Sequence, residues 1–127
     1  MRDEGTNKPR LARGQDIADR MLEFAGGALR LSSKLPASAA GRHVLLQLVR
    51  SATAAGANYE EARAAESSAD FTHKLAVACK EIREASYWVR LVERSGWVRD
   101  DLRHLIRESD ELTAILGASI RTARANR

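Results

Sequence analysis

The chain has 127 residues, 44% hydrophobic and 30% charged, with a formal net charge of +4 and a pI near 9.7. That length suits one domain able to bury a core without staples, and the lone cysteine, Cys79, excludes an intramolecular disulfide and fits a reducing interior. No run approaches the roughly 18 apolar residues of a membrane helix. Residues 1–14 are polar and basic without an apolar segment, so they read as a disordered arm rather than a signal peptide, and a cytoplasmic location is the expectation.

Helix one is expected over about residues 15–35. Ile17, Met21, Phe24, Ala28, Leu31 and Leu35 alternate in steps of four and three, the seam of a coiled-coil-like bundle. Gly26 and Gly27 fall off that seam and mark either a weak midpoint or a close approach to another subunit. Pro36 ends the helix and Ser38 caps the next, over about 38–65. There Leu45, Leu48, Ala52, Ala55, Tyr59 and Ala62 form the seam, and every residue from Ser51 to Ala57 is small, which suits tight packing on more than one side.

Helix three is expected over about 69–94, capped by Ser68 or Asp70, with Phe71, Leu75, Ala78, Ile82, Ala85, Val89 and Val92 as its seam. Trp88 and Leu91 lie off that seam and add a second apolar flank. Cys79, beside Ala78, reads as a packing residue. Ser95-Gly96 is a left-handed helix stop. Asp100-Asp101 then opens helix four, over about 99–124, whose seam is Leu102, Leu105, Leu112, Leu116, Ile120 and Ala123, interrupted by Ser109.

Within this pattern a set of residues resembles a known family. Arg50-Ser51-Ala52-Thr53, Gly56-Ala57-Asn58-Tyr59-Glu60-Glu61-Ala62, Asp70-Phe71, Lys74-Leu75, Lys80-Glu81, Glu84, Tyr87-Trp88 and Gly96-Trp97-Val98 stand in the order and spacing of the four helix bundle protein family, also called the 23S rRNA intervening-sequence protein family. The resemblance runs from about Leu35 to Val98. It implies an up-down bundle assembled as a homopentamer, without an established activity. The related accessory proteins of diversity-generating retroelements are basic and associate with nucleic acid and a reverse transcriptase, which makes RNA or DNA binding the property to test.

Two polar constellations invite chemistry. Asp70-x-x-His73 and Asp101-x-x-His104 are similar to the carboxylate–histidine pairs of di-iron bundles. They start antiparallel neighbours, and a helix of about 25 residues at about 1.5 Å each separates them by more than about 30 Å, so no shared metal is expected. Arg50, Asn58, Glu61 and Glu84 match positions of the family motif; with no nucleophile, phosphate loop or orienting group beside them, they read as a structural network in which Arg50 neutralises the carboxylates. No catalytic residue and no cofactor is assigned.

The remaining signal is charge. Up-down topology brings the start of helix one and the end of helix four together, gathering Lys8, Arg10 and Arg13 near Arg121, Arg124 and Arg127, and no acid follows Glu111. Such cations also complement the helix dipole, but repeated around a ring they would form an anion-binding face. The sequence therefore predicts an all-α, left-handed, up-down four-helix bundle, oligomeric and non-enzymatic. It is read as a scaffold that touches RNA or DNA through phosphates, or alternatively as an adaptor that binds only protein, its partner unknown.

Overall fold

A computed structural model describes residues 2–126, with side chains described from Gly14 onward. Four helices make up the chain: α1 (Arg2–Ser32), α2 (Ala39–Arg63), α3 (Ser68–Ser95) and α4 (Arg103–Ala125). α1 thus starts well before residue 15; the basic arm expected over 1–14 falls on this stretch, and its side chains lie outside the described residues. Each helix packs antiparallel to the next, and α4 closes back on α1. Gly56 of α2 sits against Met21, while Tyr59 donates its hydroxyl to the Gly14 carbonyl at 3.3 Å. At the α3–α4 seam Ser86 reaches Asp110 and Cys79 reaches Thr113. Between α1 and α4, Arg20 reaches Glu108 and Lys34 reaches Asp100.

The seven-residue rhythm becomes the core. Ile17, Met21, Phe24, Ala28 and Leu31 of α1 are buried against Leu48, Ala52, Ala55, Tyr59 and Ala62 of α2. Leu75, Ala78, Ile82, Ala85, Val89 and Val92 of α3 meet Leu112, Leu116 and Ile120 of α4 in the same core. At the second turn of α2 the buried residue is Val44 rather than Leu45, which is half-buried. Ser109 sits fully buried within the α4 seam, its hydroxyl donated to the Ile106 carbonyl one turn back at 2.7 Å. A seam can hold such a serine at little cost because the hydroxyl is satisfied within its own helix.

The helix ends differ from the sequence expectation in instructive ways. Ser38 caps α2 by accepting the Gly41 amide at 3.1 Å, as expected. α3 is capped by Ser67, one residue earlier than expected, whose hydroxyl accepts the Asp70 amide. α4 begins at Arg103 rather than near 99, because Leu102 is buried and draws the chain into the core before the helix starts. Asp101 still serves the positive helix end, accepting the Arg103 amide at 3.0 Å from just outside the helix. Gly96, with φ of 72°, closes α3 in the left-handed region.

Glycine marks close approach inside the subunit. A Cβ on Gly27 would lie 3.0 Å from Leu105 Cδ1, and one on Gly56 would lie 3.4 Å from Met21 Cβ. The space left by Gly27 is therefore filled by α4 of the same chain. At Gly41 a Cβ would sit 1.9 Å from the Pro36 carbonyl oxygen, a backbone atom that cannot swing aside.

Gly41→Ala should therefore destabilise the protein by about 1–3 kcal/mol, although alanine favours a helix over glycine by about 1 kcal/mol. Ile82→Ala, at a fully buried position, should cost about 2–5 kcal/mol. Urea denaturation of both variants checks the packing of the α1–α2 turn and of the α3 seam.

Candidate interaction surfaces

Antiparallel packing of α2 on α3 places Arg50 opposite two carboxylates. Its guanidinium donates to Glu84 at 2.6 Å and to both oxygens of Glu81 at 3.2 Å. Glu84 also accepts the Trp88 indole N–H at 3.0 Å. The Arg50 hydrogen bond, then that of Trp88, holds the Glu84 carboxyl below its usual range. Trp88 in turn meets His43 and Tyr87 edge-on, with ring centroids 5.8 Å and 5.0 Å apart. The indole is thus half-buried and fixed on three sides. The apolar flank expected of Trp88 and Leu91 is correspondingly absent: both are half-buried and pack against the core.

The four residues carried over from the family motif do not form one network. Arg50 and Glu84 are paired, and Glu81 and Trp88 belong with them. Glu61 lies further along the same seam, where it accepts from Lys74 at 2.5 Å. Asn58 turns to its own helix and donates to the Ala54 carbonyl at 2.9 Å. Across the bundle, Arg20 makes a bidentate contact with Glu108 at 2.8 and 2.9 Å and adds Glu111 at 2.7 Å. The Arg20 hydrogen bond lowers the Glu108 carboxyl in turn. Every one of these carboxylates is answered by a cation, and none faces a nucleophile. The Cys79 thiol is half-buried, and burial pushes its pKa up, which keeps it protonated and unreactive.

Asp70 and His73 stand at the start of α3, Asp101 and His104 at the start of α4. The 28 residues of α3 hold these two starts apart. Among the described residues no three histidine, cysteine, aspartate or glutamate side chains gather as a metal site, and no helix is long and apolar enough to cross a membrane.

At the end of α4, Arg121 and Arg124 are exposed. Because α4 runs antiparallel to α1, this end points toward the end of the bundle where Gly14 and the close of α2 meet. The side chains of Lys8, Arg10, Arg13 and Arg127 lie outside the described residues. Among the described residues, the large apolar side chains left exposed are Leu22 (73%), Leu29 (47%), Leu46 (64%) and Tyr87 (57%). Core periodicity alone predicts none of them as a surface feature, yet a second rhythm carries the signal, since Leu22 and Leu29 are seven apart and off the core seam.

The sequence model of the 23S rRNA-intervening sequence protein matches residues 13–118, from within α1 into the second half of α4. The chain belongs to this family. Its fold is also similar to the crystal structure of a protein with unknown function from the S23 ribosomal protein family of Bacteroides thetaiotaomicron. That likeness has a TM-score of 0.76 and 33% sequence identity over 85% of this chain and 97% of the other. No curated protein matches the chain. Within the family match lie the Arg50–Glu84–Trp88 cluster and all of α3; Arg121 and Arg124 lie just beyond it.

The lowered Glu84 and Glu108 carboxyls give stability a defined pH dependence. A carboxyl whose folded pKa is depressed contributes its full stabilisation above its ordinary value of 4.5 and loses it as pH falls through the lower folded value. Melting temperature should hold steady from neutrality to about pH 5 and then fall. Arg50→Gln should cost less than about 1 kcal/mol at pH 7, because the guanidinium is half-exposed, and should flatten part of that acid limb. Thermal melts of both proteins from pH 7 to pH 3 measure it.

Proposed function

We propose that this member of the 23S rRNA-intervening sequence protein family is a non-enzymatic, self-associating helical scaffold that holds nucleic acid, alone or in a ribonucleoprotein, through its phosphates. The observation that carries the reading is the exposed pair Arg121 and Arg124, which has no carboxylate within ion-pair distance among the described residues, on a helix whose last acid is Glu111. Elsewhere in the bundle Arg20, Lys34, Arg50, Lys74 and Arg90 are each answered by a carboxylate. Cations left unanswered in water attract phosphate at long range, and each phosphate neutralised releases counterions. Paired carboxylates and a protonated thiol support the non-enzymatic part.

Self-association draws support from Leu22, Leu29 and Leu46. The first two share one face of α1, and the third lies on α2, which packs beside it. Exposed leucines grouped on neighbouring helices mark a protein contact, and the occupant proposed is a second copy of this chain; the family resemblance suggests a ring of five. The ring multiplies a mild surplus of charge per subunit into a strong field. A protein-only adaptor would use the same leucines for a different partner.

Arg121→Glu with Arg124→Glu should leave helicity intact and weaken binding to unrelated RNA and DNA sequences alike, with a flatter salt dependence, as read by fluorescence anisotropy at two salt concentrations. Absence of wild-type binding at low salt favours the adaptor instead. Leu22→Arg with Leu29→Arg should lower the mass seen by light scattering to the 14.0 kDa of one chain; wild type that is already monomeric at every concentration removes the scaffold assembly.

A further inference from the structure

Resting on the nucleic-acid reading above, we infer that the outer face of α3 is a site for single-stranded nucleic acid, with Tyr87 stacking on a base and flanking cations holding the phosphates. Lys80, Arg83, Tyr87, Arg90 and Arg94 are spaced three, four, three and four apart, and all five are exposed. That spacing sets them in one row along the helix, about 21 Å long at about 1.5 Å per residue. The row contains no acid. Arg90 pairs with Asp110 of α4 at 2.6 Å, whereas Lys80, Arg83 and Arg94 have no carboxylate within ion-pair distance among the described residues. Arg107 stands exposed one turn before Asp110 on the neighbouring helix.

The acids of α3 are turned elsewhere. Glu81 and Glu84 point to Arg50 of α2, Asp70 lies at the helix start, and the exposed Glu93 stands off the row by helical spacing, where its charge acts on Arg103 of α4. Charge on this part of α3 is therefore partly sorted, with Glu81 and Glu84 drawn to α2 and Lys80, Arg83 and Arg94 left in water. A lone row of cations would hold phosphate in any nucleic acid. Tyr87 makes the row selective. It keeps 57% of its surface exposed in the middle of the row, and its ring stands at 82° to that of Trp88. An edge-on contact covers at most one face of the phenol ring, so another is open to a base. Trp88 is itself held by Glu84 and His43, which fixes the platform before any ligand arrives. Unpaired bases can stack on such a ring; bases within a duplex cannot reach it. The leucines proposed for self-association lie on α1 and α2 and are not part of the α3 row.

The test is fluorescence anisotropy of the full chain with a labelled mixed-sequence single-stranded RNA, single-stranded DNA of the same sequence, and the corresponding duplex. Tyr87→Ala should weaken both single strands about ten-fold or more, leave the duplex within about two-fold and leave the salt slope unchanged; Tyr87→Phe should bind as wild type. Arg83→Gln with Arg94→Gln should lower the slope of log affinity against log salt by about 1.4, at about 0.7 for each single-strand phosphate that is no longer neutralised. A single-strand preference confined to RNA identifies the natural strand as RNA, and equal binding identifies the shared phosphate-and-base chemistry as sufficient. Unchanged single-strand affinity in Tyr87→Ala overturns the inference, as does a mass by light scattering that falls in that variant, because Tyr87 is then a subunit contact. If only Arg121→Glu with Arg124→Glu alters the salt slope, the α3 site falls while the wider nucleic-acid reading stands. No binding by wild type at low salt overturns both.

Discussion

The bundle depends on how closely α2 can approach its neighbours. Ser51, Ala52 and Ala55 are completely buried with no bulk to hold the helices apart, and Gly56 lets Met21 of α1 come to van der Waals contact. Small side chains contribute little apolar area themselves, yet they allow Leu48, Leu75, Ile82 and Leu112 to fill one continuous interior at native density. The larger residues thus supply the burial, while the small ones set the geometry. Gly41 does the same at the turn into α2, where any side chain would meet the Pro36 carbonyl.

That close approach has an electrostatic consequence on the surface. With α2 and α3 in tight antiparallel contact, Arg50 spans the seam to reach both Glu81 and Glu84, and Lys74 reaches Glu61 from the other helix. These half-exposed pairs add little to stability individually. Their larger effect is to decide which charges remain for a partner. Each carboxylate drawn into the α2–α3 seam is one that no longer neutralises the outer face of α3. A chain whose formal surplus is only +4 can in this way present faces that are locally far more basic than its composition indicates.

Periodicity carried most of the fold. The buried positions of α1, α3 and α4 follow the spacing of three and four almost residue for residue, because a helix interior leaves only that rhythm to choose from. Helix starts were less legible: Ser67, Ser68 and Asp70 are all competent caps, and Leu102 delays α4 for a tertiary reason that no local pattern contains. The polar set was half legible. Arg50 and Glu84 do meet, since residues at matching heights on antiparallel helices must, but Asn58 and Glu61 at other heights cannot join them. Net charge by segment conceals the cationic row of α3, for the acids interleaved with it in sequence are turned away from it in space.

The aromatic residues are sorted as strictly as the charges. The chain has only two each of phenylalanine, tyrosine and tryptophan, and five of the six have a structural task. Phe24 fills the core, and Phe71 and Trp97 pack against it. Tyr59 ties α2 to Gly14 of α1, and Trp88 seals the Arg50–Glu84 seam with its indole N–H. Tyr87 alone is exposed, and its removal would open no cavity. Such a side chain leaves more than half of its surface in water and packs only through its edge contact with Trp88, in a protein that otherwise uses its few aromatics to bury area or satisfy a hydrogen bond. Its position in a cationic row gives the ring a use that packing does not.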